Sequence, residues 1–253
     1  VFCFFANKDE KYMDYGLIVD LETTGTDSQQ DEIIEIGILE FGVEDNKPPF
    51  VTNMYGAVAE PSQPLSPEIQ RITGLDDDML RGQTIDWNIV SRYFDRASLY
   101  VAHNADFDRA FLERQWGTTE WMGRWACSMR HIDWETHGFR TRSLNYLAAD
   151  HGFVNPFAHR ALFDCATTFR LIAPYFEELV ARSYLKEVRI LAVGTPIELK
   201  DKLKARRYRW DPQKRVWYKD VFEDRLAEER AFLAEEIYQG TPRHEEVVIT
   251  DSE

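Results

Sequence analysis

Asp20 and Glu22 stand two residues apart at the end of the apolar run GLIVDLE. Side chains alternate along an extended strand, so both carboxylates lie on one face. Two negative charges this close repel unless a cation neutralises them, which makes the pair a candidate metal site. The pair also fits a strand that simply runs into a solvated acidic turn. Asp108 follows SLYVAHN within HNADFD. It is either a further ligand or a first-turn acid favoured by the helix dipole, and Asp106 is the better placed of the two for capping. His159 and Asp164 fall in AHRALFDC, where Leu162, Phe163, Cys165 and Ala166 surround the aspartate. An unpaired Asp buried there would be costly, and a metal ion is one partner that removes the cost. His159 sits at or just before a helix start, with a structural role as its alternative.

Taken together, the pieces lie at strand ends and helix starts, where α/β folds gather functional groups. Four carboxylates and a histidine can hold two divalent cations about 3.5–4 Å apart, the arrangement used for in-line phosphoryl displacement. In that chemistry a histidine accepts the proton of the attacking water. Magnesium and manganese both suit such an oxygen-rich site.

The elements that must carry these residues follow from the pattern. Residues 16–22, DEIIEIGILEFGV and VTNMYGAVAEP read as three strands of an antiparallel meander. Ser66 and Pro67 begin a helix that Gly74 ends. From 86 to 115 the pattern gives helix, strand SLYVAHN and helix DRAFLERQW. A short strand near RWACS precedes helices at 128–137 and 142–151, and ALFDCATTFRLIAPYFEELVARS reads as one closing helix. Strands followed by alternating helices and strands predict an α/β layer structure with a mixed sheet.

Composition shifts near residue 184. EVRILAVG reads as a strand, PIELKDKLKARR as a short helix, YRWDP as a turn into the strand RVWYKDV, and 222–238 as a charged helix. The expected organisation is a first domain over 1–182 with its core at about 14–180, a small α+β module over 184–240, and a weakly structured acidic tail over 241–253. Within 200–219, nine Lys or Arg face two Asp, with aromatic residues interleaved. Lys204, Arg206, Arg207, Arg209, Trp210 and Trp217 form a candidate patch in which cations track phosphates and rings stack on bases. A core role for the tryptophans is the alternative.

The formal charge of −14 over 253 residues weakens a passive nucleic-acid-binding reading. It weakens a metal nuclease less, because bound cations supply the positive charge locally. No apolar run approaches the ~20 residues of a membrane span, and the opening VFCFFANKDEKYMDYG is too short and acidic for a secretory signal. Cys3, Cys127 and Cys165 give neither a disulfide framework nor a zinc pattern, so a reducing cytoplasm is expected.

VDLETTG, HNADFDRAFL and HRALFDC, in this order, resemble the three motifs of the DEDDh (DnaQ-like) 3′→5′ exonuclease superfamily, over roughly residues 14–180. The resemblance implies an RNase H-like fold. It implies Asp20, Glu22, Asp108 and Asp164 as ligands of two divalent cations, Mg²⁺ or Mn²⁺, and His159 as general base. A sister subgroup would place Tyr where Arg160 stands, so the histidine subgroup is favoured. PEIQRITGL and SLNYLAADHGF resemble further family segments. By the same resemblance Thr23, Thr73 and Phe107 contact the 3′-terminal nucleotide. Single-stranded DNA is the favoured partner over RNA, with a polymerase or repair partner left open. An exoribonuclease and a non-catalytic polymerase-associated subunit remain as alternatives.

Overall fold

A computed structural model describes residues 14–44, 47–240 and 243–249. Chain contacts divide it into a first unit ending at Ser183 and a second beginning at Tyr184. Cys3 and the opening segment lie outside the described residues, and Cys127 and Cys165 are buried free thiols.

The first unit is built on a five-stranded sheet. Strand β1 (Asp14–Thr23) occupies its centre, β2 (Ile33–Val43) pairs antiparallel with it, and β3 (Phe50–Val58) pairs antiparallel with β2. On the other side β4 (Leu99–Ala102) and β5 (Arg124–Cys127) run parallel to β1, giving the order β3-β2-β1-β4-β5. Helices cover both faces, so β1 is apolar continuously and not in alternation. Ile18 packs with Leu39, Val101, Cys165 and Leu171 on one face. Leu17 and Val19 pack with Ile38, Phe94, Phe111 and Leu112 on the other. The α/β fold with a mixed sheet flanked by helices is as expected, and it is RNase H-like.

Helix α1 (Pro67–Thr73) starts at the Ser66 cap and ends at Gly74 in the left-handed conformation, as its sequence implies. Helices α2 (Asp77–Leu80), α3 (Trp87–Arg96) and α4 (Ala105–Trp116) follow. Two expectations fail after β5. Residues 128–137 form turns instead of a helix. There the Trp134 indole donates to the Ser128 carbonyl and the His131 ring accepts from the Cys127 amide, so side chains satisfy the backbone groups a helix would have used. Helix α5 (Leu144–Asp150) then leads to α6 (Ala161–Ile172). The expected single closing helix is broken at Pro174, where a 3₁₀ turn, Ala173–Tyr175, separates α6 from α7 (Phe176–Ser183).

The second unit is a four-stranded antiparallel sheet of β6 (Glu187–Ala192), β7 (Arg209–Asp211), β8 (Val216–Phe222) and β9 (His244–Ile249), in the order β7-β8-β6-β9. Helices α8 (Lys200–Ala205) and α9 (Leu226–Phe232), the latter continued by a π-helical turn to Tyr238, supply apolar residues to its core. Two local expectations are corrected. The start of the YRWDP turn is strand β7. Within the expected acidic tail, His244–Ile249 is a strand paired along its length with β6. Among the described residues no helix is long and apolar enough to cross a membrane.

Candidate active site

The site is assembled around the end of β1. Asp20 and Glu22 share a face, Asp20 half-buried and Glu22 buried. Asp108, in the first turn of α4, is buried and accepts the Leu21 amide at 3.1 Å, so a hydrogen bond ties α4 to the strand between the two acids. Asp106 is exposed and pairs with Arg130, and α4 begins at Asn104 without a side-chain cap.

Asp164 lies in the first turn of α6 and is also buried. Its two oxygens accept the Asn155 side-chain amide at 2.5 Å and the His159 backbone amide at 2.9 Å. His159 itself is exposed, with a left-handed backbone at φ 60°. Residues other than Gly adopt that region at a cost, and such costs collect at functional sites. Glu22, His159 and Asp164 each offer a ligand atom, and these atoms lie within 4.8 Å of one another.

Electrostatics bind the four carboxylates into one group. Burial, then repulsion from Asp108, Asp164 and Glu22, holds the Asp20 carboxyl well above the usual range. Burial, then Asp164, Glu35 and Asp108, pushes Glu22 up to about 8, against an opposing pull from Arg160. Asp108 is raised to about 8 by burial, partly offset by backbone amides including that of Leu21. Asp164 is raised to about 6 by burial, with the His159 amide and Asn155 acting the other way. Acids held at such a cost make this end of β1 a candidate functional site, and a divalent cation would relieve the cost. The donor set is oxygen-rich with one histidine within reach, which fits a hard cation.

A family model described as Exonuclease, of the RNase T type, matches residues 17–172. The chain belongs to this exonuclease family. The exonuclease is 31% identical over 191 residues to the "3′-5′ exonuclease DinG" of Staphylococcus saprophyticus, an alignment covering 73% of this chain and 21% of that protein. A relative of the same name from Staphylococcus aureus is 29% identical over the same length. The chain thus spans about a fifth of the length of these curated relatives. Two solved structures share its fold. An E. coli ExoI–single-stranded DNA complex in a zinc-bound form has a TM-score of 0.57 at 13% identity, covering 72% of this chain and 48% of that one. A full-length 3′-exonuclease has a TM-score of 0.52 at 16% identity, covering 68% and 64%. The family is one of exonucleases, which are nucleases and hydrolases.

Of the three residues expected at the terminal nucleotide, Thr23 is buried with its hydroxyl donating to the Gly25 carbonyl at 2.5 Å. Thr73 is buried, and its hydroxyl donates to Ile69 and accepts from Leu75. Phe107 is half-buried against Phe111, 4.9 Å between ring centres. In the second unit, Arg206 is held by Glu228 and Glu229. Arg209 is exposed and bonded to Asp220, and Trp217 packs against the module core. Lys204 and Arg207 are exposed, and Trp210 is exposed beside Trp217.

Sequence reasoning missed two residues of the site, Glu35 and Asn155. Glu35 carried a signal, since a lone acid within the apolar strand IIEIGIL needs a partner. Asn155 lies in a loop with no pattern to mark it.

Proposed function

We propose that the exonuclease works in the 3′→5′ direction on single-stranded DNA, releasing nucleoside 5′-monophosphates. Asp20, Glu22, Asp108 and Asp164 hold two divalent cations, Mg²⁺ or Mn²⁺, and His159 acts as general base. The observation carrying this reading is the convergence of Glu22, His159 and Asp164 on one point at the end of β1, with Asp108 tied to the intervening residue Leu21. The polarity rests on the names of the DinG relatives. When bound, the cations lower the pKa of a water and stabilise the leaving oxygen.

The chain's own residues supply the rest. The carboxylates shed the protons that burial favours, so cation binding is coupled to proton release. The exposed imidazole of His159 accepts the proton of the attacking water. Thr23, Thr73 and Phe107 line the position of the terminal nucleotide. In the second unit, Lys204, Arg207, Arg209 and Trp210 contribute a secondary grip on longer strands, and Arg206 and Trp217 support that surface from beneath. The setting is cytoplasmic, and a polymerase or repair partner is left open.

The test uses single-stranded DNA and RNA of equal length, both 5′-labelled, with Mg²⁺, Mn²⁺ or EDTA. Progressive 3′ shortening that stops in EDTA supports the reading, and the faster substrate identifies the natural class. Binding without shortening in either metal moves the chain to a non-catalytic role.

A further inference from the structure

Glu35 is a further, buried carboxylate beside the four of the site, and it raises the proton affinity of Asp20, Glu22 and Asp164. It stands directly opposite Glu22 in the β1–β2 register. Its carboxylate accepts three donors from two consecutive residues. Arg160 gives its Nε at 3.1 Å and its Nη2 at 3.0 Å, and Ala161 gives its backbone amide at 3.2 Å. Arg160 occupies the N-cap of α6 and makes no side-chain cap of its own. The cap therefore comes from Glu35 on β2, more than a hundred residues earlier in the chain.

A local Ser, Thr or Asp would cap the helix equally well wherever it lay. A cap supplied by β2 ties the helix start to the sheet. The next same-face residue on β2, Gly37, lies opposite Asp20, and a Cβ there would meet the Ala161 backbone at 2.4 Å. Two successive positions of one strand face are thus given over to the Arg160–Ala161 step. His159 immediately precedes that step, and its amide is bound to Asp164. A partly buried ion pair is weak support for stability alone, because desolvation offsets its attraction. It does fix geometry through its paired hydrogen bonds.

We infer that Glu35 and Arg160 are a positioning pair that sets the His159–Asp164 corner against Asp20 and Glu22. Arg160 also opposes, in part, the charge that Glu35 adds beside Glu22. Neither residue touches the reacting atoms. The inference rests on the reading of His159 as general base, and its test separates the two.

Glu35→Gln, Arg160→Met and Arg160→Lys are to be made in the native protein and in His159→Ala, each checked by melting temperature. Turnover of a labelled single strand in Mg²⁺ and amide hydrogen exchange at 155–161 are then measured. Glu35→Gln and Arg160→Met should each lower kcat by roughly tenfold to a hundredfold with little change in KM, the scale of a displaced catalytic group. Arg160→Lys should recover part of the loss. In the His159→Ala background the further loss should shrink to about threefold or less, because the positioned group is gone. Exchange at the His159 and Ala161 amides should quicken in Glu35→Gln. An equal loss in both backgrounds, or unchanged exchange, would overturn the inference. Full activity in His159→Ala alone would instead remove the general-base reading, and the exchange data would still decide whether Glu35 holds the corner.

Discussion

Replacing Glu22 by Gln isolates the cost of gathering acids at the end of β1. The Glu22 carboxyl moves from an ordinary 4.5 to about 8 on folding, chiefly through burial and then through Asp164 and Glu35. A raised value means that the folded chain holds this proton more tightly than the unfolded chain. The stability is fully present below about 4.5 and is lost as pH rises toward about 8. Within that window the loss is roughly 1.4 kcal/mol per pH unit, on the order of 5 kcal/mol across it. Gln resembles the protonated form and carries no such slope. With EDTA present, urea unfolding from pH 5 to pH 9 can be followed by tryptophan fluorescence, since Trp87, Trp116, Trp121, Trp125 and Trp134 all belong to the first unit. The two proteins should be close in stability at pH 5, with the variant ahead by a few kcal/mol at pH 8. Millimolar Mg²⁺ should flatten the native profile and leave the variant less affected, while the variant's turnover collapses. Parallel profiles for the two proteins would show that the carboxylate carries no folding penalty, and the argument from burial and repulsion would fail.

Other consequences can be tested in the same way. Asp20→Ala should abolish turnover while raising the melting temperature in EDTA at alkaline pH, because it removes an acid whose ionisation burial, Asp108, Asp164 and Glu22 all oppose; surviving turnover would break the ligand assignment. Gly37→Ala should cost about 1–3 kcal/mol of stability by overpacking against the Ala161 backbone, and denaturant midpoints would record it. Trp210→Ala together with Lys204→Glu should weaken binding of long single strands and spare hydrolysis of a dinucleotide. Equal loss on both substrates, in a steady-state comparison, would remove the second unit from substrate binding.

The site was legible in the sequence where its chemistry is local. Asp20 and Glu22 share a strand face by period alone, and Asp164 announces itself by standing among apolar neighbours. The helix from Pro67 to Thr73 was equally readable, because Ser66, Pro67 and Gly74 each act on their own backbone. What could not be read depends on partners far away in the chain. Glu35 reaches its meaning only through the β1–β2 register and a helix start 126 residues later. The pairing of Arg206 with Glu228 and Glu229 crosses more than twenty residues, so a run of basic letters overstated the free positive charge of that segment. HEEVVI, rich in acids, reads as solvated chain until β6 offers it six consecutive partners. Residues 128–137 mislead for the opposite reason, since their helix-compatible letters are spent on Trp134 and His131 bonds specific to that turn.

Strand β9 also sets an order of events during synthesis. Every strand and helix of the first unit is complete once Ser183 has been made, so that unit can close while the chain is still growing. The second sheet has to wait for His244–Ile249, because until then β6 presents an open edge on the side β9 will occupy. An open edge invites pairing with another chain. A ribosome stalled between the two units' last strands would thus display a finished nuclease domain tethered to an adhesive, half-built sheet.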